Sequence, residues 1–423
     1  MVETKRNKDM LGRSGLISVP QALEILLSGL KNHKPATEII PLTEAFDRVL
    51  GEAIVSPQDL PAEARSTMDG FAVRAADTFG ASQSAPCYLN ITGEVRMGEA
   101  PKGQVEPGAC HKIPTGGLLP PGADSVVMFE QTVPVDDTLI EIVKSVGSGS
   151  NVIGRGEDIG LGEVALAAGR LLRPQDIGLL AGLGISSVTV AKKIRVGILA
   201  TGDEIIPHSE APQPGQIRNI NSLALAGQVL RAGGLYTDYP IVSDRKEIFL
   251  PAIQQAIRDN DIVLFSGGSS VGVRDLGEQV IEELGPPGVL VHGVTLKPGK
   301  PVLIGMSGTT PIFGLPGHPV SAMVCFDFFV RPAMEYLCGM RDHSASSAPS
   351  ITARLSRNLN SAPGRLDVVR VKLTKEGEAW TADPILGKSG SISTLSRAHG
   401  YFLIDEDSQG VTQNSMIQVY LYS

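Results

Sequence analysis

Three short polar segments of this 423-residue chain carry residue types that handle anions, and each directly follows an apolar run. Gly197-Ile198-Leu199-Ala200 leads into Thr201-Gly202-Asp203-Glu204. Val263-Leu264-Phe265 leads into Ser266-Gly267-Gly268-Ser269-Ser270-Val271-Gly272, and Ile312-Phe313 into Gly314-Leu315-Pro316-Gly317-His318-Pro319. Glycine lets a backbone approach a ligand closely, and N–H groups at a strand's carboxyl end or a helix start attract negative charge. Taken singly, each segment is equally well a strand-to-helix turn; their agreement predicts that all three line one pocket.

Carboxylates gather near these loops: Glu204 in the first, Asp244 after Tyr239-Pro240-Ile241-Val242, and Asp275 just beyond the second. Hard oxygen ligands of this kind suit Mg²⁺ held jointly with substrate phosphates. Asp275 reads equally well as a helix cap ahead of Leu276. Leu296-Lys297-Pro298-Gly299-Lys300-Pro301 sets two ammonium groups on a rigid turn, suited to a phosphate or oxyanion, or simply solvated. Nearer the N-terminus, Ser66-Thr67-Met68-Asp69-Gly70-Phe71-Ala72 contains an Asp-Gly turn signal, and Ile113-Pro114-Thr115-Gly116-Gly117 sets a hydroxyl beside backbone N–H groups. The seven histidines show no metal-ligand spacing, and Trp380 with scattered Tyr and Phe forms no base-stacking array. His318 is expected to order its loop.

The elements that must position these residues follow from pattern. Ser18-Val19-Pro20-Gln21 opens an amphipathic helix with Ala22, Leu23, Leu26, Leu27 and Leu30 at helical spacing. A second helical pattern covers Thr43 to Leu50, until Pro57 and Pro61 break the chain. Short β-rich runs separated by Gly/Pro turns fill 62–151, and Pro174–Ala181 returns to helical spacing, so the first domain is expected to be interrupted and to resume. From Ile194 strands alternate with helices, the pattern of a doubly wound α/β domain. Alternating runs at 351–355, 367–373, 401–405 and 416–422 predict a small C-terminal β-barrel or sandwich. The expected division is 1–61 with 152–193, then 62–151, 194–341 and 342–423: a multidomain α/β plus β protein.

Composition bounds the partners. With 37 Lys+Arg against 45 Asp+Glu the net charge is −8, which argues against nucleic acid. Four separated cysteines fit a reducing compartment, and no apolar run approaches the ~18–20 residues of a membrane span, so a cytoplasmic protein with no membrane partner is expected.

Read in order, the motifs resemble the molybdopterin molybdenumtransferase family, which includes the E domain of gephyrin. They are Met68-Asp69-Gly70-Phe71-Ala72, Ile113-Pro114-Thr115-Gly116, Arg155-Gly156-Glu157-Asp158-Ile159, Thr201-Gly202-Asp203-Glu204, Ser266-Gly267-Gly268, Ser270-Val271-Gly272, Lys297-Pro298-Gly299-Lys300-Pro301 and Leu315-Pro316-Gly317-His318-Pro319-Val320-Ser321-Ala322. The resemblance implies a discontinuous, elongated N-terminal helical domain, a small β-rich domain, a molybdopterin-binding α/β domain and a C-terminal β-barrel. It implies a homodimer whose site combines the α/β domain of one subunit with the β-rich domain of the other. It also implies the reaction: adenylylated molybdopterin and molybdate bind with Mg²⁺, AMP leaves, and molybdenum passes to the dithiolene sulfurs. A molybdopterin adenylyltransferase upstream and apo-molybdoenzymes downstream would be the partners.

By motif position, Asp69, Thr115, Glu204, Asp244, Asp275 and Lys297 match the family's functional positions. Glu204, Asp244 and Asp275 would bind Mg²⁺ or position water. Ser266, Gly267, Gly268, Ser270, Pro316 and Gly317 would hold the pterin, Lys297 and Lys300 would offset substrate charge, and Ser393 would add a C-terminal hydroxyl. Two departures stand out: Gly293 where some members carry a lysine, and Phe71 where tyrosine is more usual. Two rival readings are a molybdopterin adenylyltransferase, which normally lacks the Met-Asp-Gly domain, and a pterin-binding scaffold, against which the carboxylates and Lys297 argue.

Overall fold

The computed structural model describes residues 15–267, 271–341 and 349–422. Its centre is a six-stranded sheet ordered Leu235–Asp238, Arg195–Thr201, Ile262–Gly267, Thr310–Leu315, Leu303–Ser307, Pro287–His292. The first four strands are parallel; Leu303–Ser307 runs against them, and Pro287–His292 pairs antiparallel with it. Ile262–Gly267 is buried at every position, as a strand covered on both faces must be. Its side chains divide with period two. Ile262 and Leu264 join Val196, Ile198 and Phe313 in one apolar cluster, while Val263 and Phe265 join Leu199 and Ile312 in another. Helices Asn221–Arg231, Pro319–Cys325 and Arg331–Leu337 cover the first face, and Lys246–Asp259 and Val271–Glu283 the second. This is the doubly wound domain that the alternation predicts.

The N-terminal helix Val19–Leu30 starts at Ser18, whose hydroxyl accepts the Gln21 N–H while the Gln21 side chain accepts the Ser18 N–H. Its buried stripe of Val19, Ala22, Leu26 and Leu30 packs into the α/β core. The helix expected over Thr43–Leu50 is only a 3₁₀ turn, Leu42–Glu44. Pro41 precedes it, and Asp47 takes a left-handed φ of 57°, which an α-helix interior excludes. Around that turn, Thr37–Pro41 pairs with Ser187–Ala191 and Ile54–Val55 with Val164–Leu166. With the helix Pro174–Gly182 they share a core of Ile40, Leu42, Leu50, Leu172, Leu180 and Val188. Segments far apart in sequence thus build one unit.

Between them lies a second six-stranded sheet, ordered Ser125–Met128, Gly70–Val73, Ala109–Ile113, Cys87–Glu94, Leu139–Ile142, Thr132–Pro134. The chain enters and leaves this domain through one paired ribbon, Arg65–Ser66 against Val152–Ile153. At the C-terminus, strands Leu366–Glu376, Ala379–Pro384, Ser350–Leu355, Met416–Leu421 and Gly400–Ile404 close by pairing the last with the first. Of the barrel and sandwich alternatives, the barrel is realised. Among the described residues, no helix is long and apolar enough to cross a membrane.

Candidate functional site

Parallel register brings the three loops together. Ala200 lies opposite Ser266, Thr201 opposite Gly267, and Ser266 opposite Leu315, so all three strands end at one sheet edge. Gly268 and Ser270 lie outside the described residues. Thr201, fully buried, donates its hydroxyl to Asp244 Oδ1 at 2.6 Å, and its backbone bridges Val242 in parallel. The carboxylate of Glu204 turns back over Gly202; a Cβ at that glycine would lie 2.7 Å from Glu204 Oε2. Burial raises the Asp244 carboxyl above its usual range; the Thr201 hydroxyl opposes the shift, and the charges of Glu204 and Asp203 add to it. Asp203 in turn accepts the Ser243 hydroxyl at 2.7 Å.

Asp275 is the fifth residue of the helix Val271–Glu283 and is exposed, so it does not cap that helix. Among the described residues no three His, Cys, Asp or Glu groups are arranged to hold a metal ion.

The third loop is held from two sides. Asn221, at the start of its helix, donates Nδ2 to Gly317 O at 3.0 Å, and Pro316 beside it is buried. His318 Nδ1 hydrogen-bonds Ser389 Oγ at 2.7 Å, while the Val320 N–H donates to Ser389 O at 3.2 Å. His318 therefore orders its loop, as expected, by fastening it to the barrel domain. That contact brings the neighbouring helical turn Ser393–Ser396 toward the sheet edge, with Ser393 exposed. Lys297 lies on a two-residue strand parallel to Leu366–Asp367. Its Nζ sits 3.2 Å from Asp367 Oδ2, and Arg365 Nε donates to Asp367 Oδ1 at 2.8 Å. Asp367 is buried, whereas the Lys297 side chain is 54% exposed, so lysine can change partners more readily than the carboxylate it leaves. Lys300, three residues on, is exposed.

Gly293 takes a φ of +86°, and a Cβ there would lie 2.7 Å from Leu16 Cδ2. Both strain and space thus favour glycine over the lysine of some family members.

In the β-rich domain, Gly70 pairs with Ile113, and this aligns the two N-terminal motifs. Asp69 Oδ1 accepts the Thr115 N–H at 2.7 Å, and Ser66 Oγ donates to Met68 O at 2.5 Å. A Cβ at Gly70 would lie 1.9 Å from Val127 O, so the Asp-Gly turn requires its glycine. Phe71 is 6% exposed and meets Phe129 edge-on at 5.3 Å, an apolar setting for a ring without a hydroxyl. Among the described residues, no strand pairing or hydrogen bond links this domain to the α/β domain. The chain thus carries two separate groups, Glu204, Asp244, Ser266, Gly267 and Gly317 in one and Asp69 and Thr115 in the other, while Lys297 stands beside Asp367.

Asn221, Asp367 and Ser389 escape the sequence reading. The polar run Arg218-Asn219-Ile220-Asn221-Ser222 ahead of an amphipathic helix was a usable signal for the first. Nothing local marks the other two, which act across a domain boundary.

Three family models match the chain in succession. Residues 17–184 match the family model of the MoeA N-terminal region (domain I and II), 197–336 that of a probable molybdopterin binding domain, and 352–422 that of the MoeA C-terminal region (domain IV). A putative molybdopterin biosynthesis protein of Methanocaldococcus jannaschii is 37% identical, over 94% of this chain and 95% of its own length. Molybdopterin molybdenumtransferase 2 of Mycobacterium tuberculosis is 32% identical, over 95% of this chain and 99% of its own. The crystal structure of the molybdopterin biosynthesis MoeA protein from Pyrococcus horikoshii OT3 superposes with a TM-score of 0.83 at 33% identity, covering 96% of this chain and 100% of that one.

Proposed function

This chain belongs to the molybdopterin molybdenumtransferase family, and from that premise we propose that it inserts molybdenum from molybdate into adenylylated molybdopterin, with Mg²⁺-dependent release of AMP. The observation that carries the reading is the crowding of Glu204 and Asp244 at the end of the strand that lies against Ser266 and Gly267. Like charges held together in a half-buried site are unfavourable unless a cation or a proton offsets them. Mg²⁺ fits this donor set, because it takes one or two carboxylates and completes its shell with water and substrate phosphates. Glu204 and Asp244 would hold it, and when bound it would neutralise charge on the pyrophosphate.

Each remaining role follows from a side chain's chemistry. Ser266 and the Gly267 N–H would hold the pterin phosphate, and the Asn221-braced loop at Gly317 would close the opposite wall. Lys297 and Lys300 would receive substrate oxyanions, with Lys297 exchanging its contact to Asp367 for one to substrate. In the hydrolytic step water forms a bond to phosphorus, the bridging P–O bond breaks, AMP departs, and the phosphate stays on the pterin. Molybdate then forms two Mo–S bonds to the dithiolene sulfurs as one Mo–O bond breaks, and the lost oxygen leaves as water with the two thiol protons. Asp69 and Thr115 enter from the β-rich domain of a second subunit in a cytoplasmic homodimer, which accounts for two groups that one chain leaves unlinked. An adenylyltransferase would supply the substrate, and apo-molybdoenzymes would receive the product.

The test is AMP release from adenylylated molybdopterin with Mg²⁺, with and without molybdate, for the native protein and for Asp244→Asn. Molybdate-dependent release that is lost in the variant supports the reading, as does reconstitution of a molybdenum-free apo-enzyme. Tight pterin binding with no release by native protein would overturn it.

A further inference from the structure

The β-rich domain has a concave feature beside the Asp69–Thr115 contact. A cleft of about 160 Å³ is lined by Arg65, Arg96, Gly98, Glu99, Gly116 and Leu118 among others. Pockets for drug-sized ligands begin near ~300 Å³, so this one has room for a single chemical group. Its charge is unusual in a chain of net charge −8. Arg65 Nη1 donates to Gly116 O at 2.8 Å, which fixes the guanidinium against the glycine wall with only one of its several N–H donors used. Arg96 is exposed; its carbonyl accepts the Glu99 N–H at 3.3 Å, while its guanidinium has no hydrogen-bond or ion-pair partner among the described residues. Glu99, the one acid in the lining, faces Lys102 at 3.8 Å. Gly98 and Gly116 have φ of 78° and 80°, so both walls turn through left-handed backbone that a larger residue would strain.

Two guanidinium groups with donors to spare, in a cleft too small for a nucleotide, match a tetrahedral oxyanion, which planar N–H forks bind with two bonds at once. We propose that this cleft binds one oxyanion of the reaction, either a phosphate of the nucleotide substrate or molybdate, with Arg96 as the grasping residue and Arg65 as the fixed wall. The assignment rests on the transferase reading, since that reading brings the Thr115 loop to the reactants.

Calorimetric titration with AMP and, separately, with sodium molybdate tests it on the native protein, Arg96→Ala, Arg96→Lys and Lys144→Ala. The expected result is about tenfold weaker binding of one probe in Arg96→Ala, partial recovery in Arg96→Lys, and native affinity in Lys144→Ala, which removes a cation from the same domain outside the cleft. The probe that weakens identifies the oxyanion. In turnover, Arg96→Ala should raise KM about tenfold and keep kcat. Native affinities for both probes in Arg96→Ala, or no binding of either probe by native protein, would overturn the proposal. An active native enzyme with unchanged KM in Arg96→Ala removes the cleft and leaves the transferase standing. An inactive native protein with Arg96-dependent binding does the reverse.

Discussion

The carboxyl edge of the α/β sheet and the paired loops of the β-rich domain hold their polar residues in opposite ways. At the sheet edge the backbone is rigid and the side chains are in conflict. Buried strands fix Thr201, Gly267 and Leu315 side by side, yet Asp244 lies among the charges of Glu204 and Asp203. In the β-rich domain the loop side chains are already anchored to backbone: Asp69 accepts the Thr115 N–H, Ser66 donates to Met68 O, and Arg65 donates to Gly116 O. One region stores electrostatic strain for a ligand to relieve, and the other is shaped in advance. Removing a carboxylate should therefore stabilise the first and destabilise the second.

The largest effect is expected where the pre-shaped region has no slack. Gly70→Ala drives a Cβ into Val127 O and should cost the β-rich domain about 3 kcal/mol. Circular dichroism should then show an early thermal transition, while the fluorescence of Trp380, in the barrel, keeps its native midpoint. A common shift of both signals would show that the two regions do not unfold separately.

Glu204→Gln tests the strained region. AMP release should fall about a hundredfold in kcat, a loss of about 2.7 kcal/mol at the transition state. The ligand-free protein should become more stable by about 0.5 kcal/mol, read as a small rise in Tm. A lower Tm would contradict the picture of a crowded edge.

Asp69→Ala should move stability the other way, because a charge-assisted hydrogen bond at an exposed position is lost for about 1 kcal/mol. That amounts to roughly 4–8 °C in the transition of a domain this size, while Asp69→Asn, which still accepts the Thr115 N–H, should stay near native. The smallest effect belongs to Phe71→Tyr. Its ring already packs edge-on against Phe129, so denaturant midpoints should shift by about 0.5 kcal/mol or less and AMP release should be unchanged.

These contrasts bear on what could be read from the chain. The three strand-to-loop junctions were legible because a buried parallel strand has its own signature, an unbroken apolar run that stops at glycine and polar residues. The pairing of Asp69 with Thr115 was legible only as two separate turn signals; antiparallel register between Gly70 and Ile113 makes them neighbours. Thr43–Leu50 is not a helix because helical spacing over about two turns is a weak constraint, and the left-handed backbone at Asp47 overrides it. Asp275 looked like a cap because the sequence places it before an apolar residue, but the helix begins four residues earlier, at Val271.

By itself the sequence determined which segments are strands, which are loops, and where anions and cations are handled, because periodicity, glycine placement and side-chain charge are local properties. Tertiary structure alone decided the partnerships. Asp367 under Lys297, Ser389 on His318 and Asn221 on Gly317 are separated in sequence by 70, 71 and 96 residues. Such contacts depend on how whole domains pack, and no short window of sequence encodes the distance between two surfaces that meet only after each has folded.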